Sequence, residues 1–314
     1  MPMNRIRLQP GLSLSDVFER YGSEVQREAE LMALRWPEGF CCPRCASAEH
    51  EVAGHGRRRL FQCRACRHQT SLTAGTLLDS TKPPLRTWFL EICQVSQGNT
   101  GLPSLALKRQ LGTSYRSAWL GHQKRMAAAM APRDSLQPLQ GSVQIDDAYL
   151  GGESPGTSGC SSPNKVAVQT YELGYAMRLK ASPVASFTHH AIARWARAKL
   201  LPGCDVCSDG LTCFAAVIGA GCAHSYIVVG SRKPRELPQL ACINTVLANL
   251  KTMINGGHKA FKFRKYASQY LGAFAYWFNA RVDLLRLLQD LLGHAATASS
   301  TPERTIRGLA EVHD

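Results

Sequence analysis

CPRCASAEHEVAGHGRRRLFQCRAC, residues 42–66, decides how the first part of this chain folds. Its cysteines, Cys42, Cys45, Cys63 and Cys66, read C-x2-C-x17-C-x2-C. Two knuckles at this separation wrap one tetrahedral Zn²⁺ with four thiolates. The spacing predicts a zinc ribbon over residues 40–72. His50, His55 and His68 lie close by, but a complete cysteine quartet needs none of them. Cys41 is a spare thiol beside a ligand. Arg44 sits inside the first knuckle, Arg64 inside the second, and Arg57, Arg58 and Arg59 lie between them. A ribbon dressed in arginine is built to meet a polyanion.

Working outward, the whole chain agrees. Its 314 residues suit two or more domains, and 45% hydrophobic with 19% charged residues marks a globular protein. Lys and Arg number 37 against 23 Asp and Glu, a net charge of +14. Nucleic acid is the first candidate partner and an anionic membrane surface a distant second. No apolar run approaches 18 residues, so no transmembrane helix is expected. The N-terminal stretch MPMNRIRLQPGLSLSDVF has no apolar core of signal-peptide length, and a cytoplasmic location follows as the expectation. In that compartment 12 cysteines read as metal ligands or buried thiols rather than disulfides. The positive charge is clustered. Residues 51–70 hold five arginines against Glu51. Residues 100–133 hold Lys108, Arg109, Arg116, Lys124, Arg125 and Arg133 without an acid, and residues 251–265 hold Lys251, Lys259, Lys262, Arg264 and Lys265, again without one. Three such runs beside a ribbon favour phosphate contacts over plain solvated faces.

The organisation predicted is multidomain, mixing α+β and α/β parts. Residues 1–39 form an N-terminal helical segment, with one helix over 15–35 capped by Ser15. The ribbon follows at 40–72. Residues 73–131 form a helical DNA-binding segment: a helix over 85–98, then two short ones near 103–111 and 114–130, separated by Gly112-Thr113 in the manner of a helix-turn-helix. Residues 132–141 (PRDSLQPLQG) are a linker. Over 142–281 the order of elements is β-β-β-α-β-α-β-α. A meander followed by alternating helices and strands is what an RNase H-like domain requires. Residues 282–314 are read as a C-terminal tail.

Within the second half, polar residues fall where such a fold gathers metal ligands. Asp146 lies in the first strand, Asp209 just after the fourth, and Asn244 on the last helix, with Lys251 seven residues further on. Seven residues turn about 700°, so Asn244 and Lys251 share a helix face. The stripe Leu240, Ile243, Leu247, Leu250 and Ile254 would dock that helix on the sheet. Phosphodiester cleavage by two divalent ions about 3.5–4 Å apart needs carboxylates of this kind. Mg²⁺ accepts few carboxylates and keeps waters, so two aspartates and an amide oxygen suffice. Lys251 can contact a phosphate or neutralise transition-state charge. Asp147 competes with Asp146, but neighbours on a strand face opposite ways, so only one should point at the metals, and Asp146 is favoured. Glu236, eight residues before Asn244, is a weaker candidate for a third acid. Cys204 and Cys207 form a third CxxC, but their apolar surroundings mark buried thiols.

These residues resemble a known family. RWPEGFCCPRC, CRACRHQTSLTAGT, VQIDDAYLGGE, SPNKVAV, PGCDVCSDG, INTVLANLK and GGHKAFKFRKYASQYLGAFAYWFNAR, from about Arg35 to Asp283, are similar to bacterial insertion-sequence transposases that join a zinc ribbon to a DDE-type domain. The subgroup is the one in which the third acid is replaced, giving Asp-Asp-Asn-Lys. The resemblance implies Asp146, Asp209 and Asn244 as the catalytic triad and Lys251 as its lysine. It implies structural Zn²⁺ and catalytic Mg²⁺ or Mn²⁺. It also implies double-stranded DNA as partner (element inverted repeats and target DNA), a homo-oligomer on that DNA, and residence near the bacterial nucleoid. The chain departs from the family pattern at Asp147 and Ala273, where glutamate is usual, and at residues 255–258. The implied function is DNA cleavage followed by joining of 3′-OH ends to target DNA. The alternatives are a sequence-specific DNA-binding protein with an inactive catalytic domain, and an RNase H-like nuclease without strand transfer.

Overall fold

A computed structural model describes residues 11–55, 58–97, 101–129, 138–149, 165–173, 176–184, 186–257 and 263–308. Most of the expected linker, the loop that follows the first strand of the second half, Lys259 and Lys262 lie outside the described residues. The chain divides into two compact units. One comprises Met1–Gly98, Ser104–Ala128 and Asp283–Ile306, the other Asn99–Pro103, Ala129–Val282 and Arg307–Asp314.

In the first unit the expected single helix over 15–35 is two. Helix α1 spans Leu14–Tyr21 and α2 spans Glu24–Arg35. Each starts at its own reciprocal capping box, Ser13 with Asp16 and Ser23 with Gln26. Ser13, not Ser15, is therefore the cap. Two serines each placed three residues before a side-chain acceptor give two helix starts, and the second cannot be continuous with the first. Arg27 is buried and ties the pair together, donating to the Tyr21 and Gly22 carbonyls and to Glu24. Strands β1 (His50–His55), β2 (Arg58–Cys63) and β3 (Gln69–Ser71) form a three-stranded antiparallel sheet in the order β1-β2-β3. Its core is aromatic: Trp36, Phe40 and Phe61 are buried, with ring centroids 5.0–5.7 Å apart. Arg35, at the end of α2, donates to the Ser71, Leu72 and Ala74 carbonyls and so clasps the exit of this sheet.

Helices α3 (Leu85–Gln97), α4 (Ser104–Leu111) and α5 (Tyr115–Ala129) follow. The turn between α4 and α5 uses Gly112 at φ 62, a left-handed conformation that glycine adopts without steric cost. The segment expected as a tail is helical instead. After α6, α7 and α8 of the other unit (described below), α9 spans Leu284–Thr297, capped by Asp283, and α10 spans Glu303–Gly308. Helix α9 packs on α2 and α3, burying Leu287, Leu288, Leu291 and Leu292. A stripe of leucines at spacings of one, three and four residues is an amphipathic helix that needs a partner, and it finds one at the opposite end of the sequence.

The second unit is built on a five-stranded sheet. Strands β4 (Ser142–Tyr149), β5 (Lys165–Leu173) and β6 (Ala176–Pro183) form an antiparallel meander, and β7 (Asp205–Ser208) and β8 (Ala223–Tyr226) run parallel to β4. The spatial order is β6-β5-β4-β7-β8. Helix α6 (His189–Lys199) and a 3₁₀ helix over Thr212–Ala220 supply Ile192, Trp195, Phe214 and Val217, which close one core over Val143, Ile145 and Val206. Helix α7 (Ala241–Gly257) packs on β4 and β5. Its buried positions are Ile243, Val246, Leu250, Met253 and Ile254. The expected stripe is thus rotated toward Val246 and Met253, because Leu240 belongs to a preceding 3₁₀ turn. Helix α8 (Phe263–Ala280) covers β6, the edge strand. There the Asn279 amide completes the ladder: its Oδ1 accepts from the Leu179 N–H at 2.9 Å and its Nδ2 donates to the Leu179 carbonyl at 3.0 Å.

Two stability outcomes follow. Leu292→Ala removes a fully buried side chain from between the N-terminal helices, and urea unfolding should show a loss of about 2–5 kcal/mol. Asn279→Ala strips both backbone groups of Leu179 of their partner, and the same measurement should show a loss of about 1–3 kcal/mol.

Candidate metal centre and acidic site

The ribbon brings its four cysteines together by two matching turns. The Ala46 N–H donates to the Cys42 carbonyl at 2.9 Å and the Arg67 N–H to the Cys63 carbonyl at 3.0 Å. The Cys42 N–H meets the Ser47 carbonyl and the Cys63 N–H the His68 carbonyl. Ala46 and Arg67 take the same left-handed backbone, φ 60 and φ 58. One turn on each side of the sheet therefore presents two sulfurs, and all four lie within 4.8 Å of one another. The Cys42–Cys66 and Cys45–Cys63 sulfur pairs are 3.6 and 3.5 Å apart. A tetrahedron with Zn–S bonds of about 2.3 Å has edges of about 3.8 Å, so the quartet fits one Zn²⁺. The electrostatics point the same way. A hydrogen bond from the Cys66 backbone lowers the Cys63 thiol to about 6. Cys45, although the Ser47 backbone favours its thiolate, is pushed up to about 12 by the sulfurs of Cys66 and Cys63. Four sulfurs this close ionise together only around a cation. Cys41 stays outside, exposed, with its Sγ toward the Ala46 carbonyl. His50 is occupied by ring contacts with Phe40 and Phe61.

The acidic site is fixed by strand register. Strand β4 pairs with β7 through Ile145↔Ser208, where β7 ends. The next residue on each chain is an aspartate, Asp146 and Asp209. They leave the paired region side by side, on the face opposite the buried Ile145 and Ser208. Helix α7 lies on that face: the Ile243 N–H donates to the Gln144 side chain at 3.0 Å, and Gln144 and Asp146 alternate on one side of β4. Asn244 follows Ile243 directly and is half-buried, while Lys251 is exposed two turns along. The Asp209 carboxylate accepts from the Leu211 N–H at 3.1 Å, which holds the turn after β7.

Asp147 is a departure from expectation. Strict alternation turns it away, yet carboxylate oxygens of Asp146, Asp147 and Asp209 all lie within 4.8 Å of one another. Strand β4 keeps its one-to-one pairing with β5 through Asp146↔Val168, Asp147↔Ala167 and Tyr149↔Lys165, so the backbone alternation is unbroken and the closeness lies in how the side chains bend beyond the last β7 pair, Ile145↔Ser208. The Asp147 N–H also donates to Asp146 Oδ1 at 2.7 Å, folding the first carboxylate back over the second residue. No periodicity in the sequence carries this signal. Three carboxylates so placed can hold divalent ions.

The remaining candidates separate. Glu236 is exposed and accepts from the Lys233 N–H, capping a short turn. Cys204 is buried, donates to the Leu139 carbonyl, and burial pushes its thiol up; Cys207 is half-buried. Neither belongs to a metal cluster among the described residues.

Comparison with known proteins finds likenesses for both regions. Residues 138–279 match the family described as ISXO2-like transposase domain, and residues 22–69 match the transposase zinc-ribbon domain. Both matched domains are ones described for transposases, and together they make the chain similar to the zinc-ribbon insertion-sequence transposases. A curated relative, an uncharacterized protein in transposable element ISH50 of Halobacterium salinarum, is 31% identical over 129 residues. That stretch is 40% of this chain and spans 42% of the relative. The relative is archaeal, so the likeness is not confined to bacteria. In this chain the matched ribbon begins at residue 22 and so takes in α2, whose Arg35 clasps the ribbon's exit. The transposase domain holds all three clustered aspartates, Asn244 and Lys251. No helix among the described residues is long and apolar enough to cross a membrane.

Metal analysis of the purified protein should find one zinc per chain. Cys63→Ser should lose it, and the ribbon should then be cut by trypsin after Arg59 and Arg64 well before the wild type is. Binding energy of a structural zinc is folding energy for so small a module. A zinc-free protein with a protease-resistant ribbon would refute the assignment.

Proposed function

We propose that this protein is a DNA transposase. In this reading it binds the inverted-repeat ends of its element, cleaves phosphodiester bonds there, and joins the freed 3′-OH ends to target DNA. The order β6-β5-β4-β7-β8, antiparallel then parallel, is the arrangement of an RNase H-like domain, and it supports the reading. The single observation that carries it is the acidic cluster at the ends of β4 and β7 inside the matched transposase domain.

Asp146 and Asp209 would hold the catalytic ions from neighbouring strand ends, with Asp147 beside them. Asn244 adds a neutral amide oxygen from α7, which leaves the site one negative charge short of a three-acid site. When bound, Mg²⁺ or Mn²⁺ activates the attacking oxygen and stabilises the leaving one. In the first step water's oxygen bonds to phosphorus and the bond to the 3′ oxygen breaks, giving a 3′-OH. In the second that 3′-OH attacks a target phosphodiester, and the target's own 3′ oxygen leaves. Lys251, exposed on the same helix, contacts a phosphate and offsets its charge. DNA is held by the arginines of the ribbon and by α4, the Gly112 turn and α5, which serve as the helix-turn-helix. On the DNA the protein works as a homo-oligomer.

Asp146→Ala and Asp209→Ala should each lower end cleavage by about 10³-fold or more, since charge stabilisation and positioning supply most of this catalysis. A mobility shift on the same DNA should be unchanged. Asn244→Ala should lower activity, while Asn244→Asp should keep part of it and alter the preferred ion. If both aspartate variants cleave like wild type, the mechanism is wrong. Cleavage without joined products would leave a nuclease, and binding without cleavage under any divalent ion would leave a DNA-binding protein.

A further inference from the structure

Helix α7 carries Asn244 and Lys251, and its packing on β4 and β5 is largely apolar, through Ile243, Val246, Leu250, Met253 and Ile254. Such contacts reward burial but have no direction, so a helix held by them alone tolerates a small slide or roll. A directional contact joins α7 to the sheet as well: the Ile243 N–H donates to Gln144 Oε1 at 3.0 Å. Ile243 is the third residue of α7, within the first turn, where backbone N–H groups have no partner inside the helix. Two residues earlier the Ala241 N–H bonds the Pro238 carbonyl of the preceding 3₁₀ turn. Gln144 thus does from a strand what a capping side chain ordinarily does from just ahead of the helix.

The place of this bond gives it meaning. Gln144 stands two residues before Asp146 on the same face of β4, about 7 Å away at strand spacing. Asn244 is the residue after the anchored amide and is half-buried. Moving α7 by one residue would shift it about 1.5 Å and turn it about 100°, enough to carry Asn244 to another side of the helix. The surroundings are dry: Ile243 is 0% exposed, and Thr170, which pairs with Gln144 across β4 and β5, is 1% exposed. An Ile243 N–H deprived of Gln144 would lose its partner rather than exchange it for water, so the bond is costly to break. Gln144 is also neutral, and accepts without adding a negative charge to the face of Asp146.

We propose that Gln144 is a positioning residue of the acidic site. By holding the start of α7 it sets Asn244 toward Asp146, with Lys251 two turns along the same helix. Gln144 ligates no ion itself and acts through Asn244. The role of Asn244 rests on the transposase reading; the anchoring of α7 does not.

The test uses the full chain and two variants. Gln144→Met keeps the length of the side chain and removes the acceptor, while Gln144→Glu keeps the acceptor. Before any Mg²⁺ or Mn²⁺ is added, the Ile243 amide should exchange its hydrogen about tenfold faster in Gln144→Met, the scale of one lost hydrogen bond, and as slowly as wild type in Gln144→Glu. Calorimetric titration with Mn²⁺ should show binding about tenfold weaker in Gln144→Met, as for residues that orient a metal ligand, and at least as tight as wild type in Gln144→Glu. In an Asn244→Ala background, Gln144→Met should weaken Mn²⁺ binding no further, because its effect runs through Asn244. Unchanged exchange or unchanged Mn²⁺ binding in Gln144→Met, or a further loss in the Asn244→Ala background, would overturn the role. Failure of the transposase reading looks different: the wild type would leave DNA uncut with Mg²⁺ or Mn²⁺, while Gln144→Met still bound Mn²⁺ more weakly than it.

Discussion

The parallel pairing of β4 with β7 is the constraint from which the acidic site derives. It runs only to Ile145↔Ser208 and then stops. Stopping there puts Asp146 and Asp209 next to each other without any contact between them having to be favourable. Two carboxylates would not choose such closeness, because like charges in one place repel. The apolar core beneath, with Val143, Ile145, Val206, Phe187 and Phe214 all essentially inaccessible, imposes it. The sheet therefore stores the repulsion that a divalent cation would relieve.

The ribbon rests on a comparable logic with the opposite chemistry. Its strands are short and its own apolar content is a few aromatic rings, too little to stabilise some thirty residues unaided. Two kinds of bond external to the sheet complete it: four thiolates on a metal, and the Arg35 guanidinium on three carbonyls after β3.

How much of this was legible beforehand depended on whether the signal was local. The cysteine spacing, the strand meander and the positions of Asp146, Asp209 and Asn244 are patterns along the chain, and the structure has the cysteines and the two aspartates together. The split of the first helix was also legible, had the two capping boxes at Ser13 and Ser23 been weighed above the apolar pattern. Asp147 was not legible. Strand alternation turns it away, and what goes with its closeness is a local hydrogen bond, Asp147 N–H to Asp146 Oδ1, that no pattern along the chain encodes. Nor was the destination of residues 284–297: LLRLLQDLLGHAAT announces an amphipathic helix, but its partner, α2, lies some 250 residues earlier.

That return of α9 has a consequence for synthesis. Most of the first unit precedes the second along the chain, yet it closes only when residues 283–306 have been made as well. Until then the apolar faces of α2 and α3 stay open, while the second unit has all its strands and can fold. Loss of residues 283–306 would thus leave the second unit beside a first unit whose α2 and α3 have no α9 to cover them, so damage near the C-terminal end of the chain is felt in the unit that starts it.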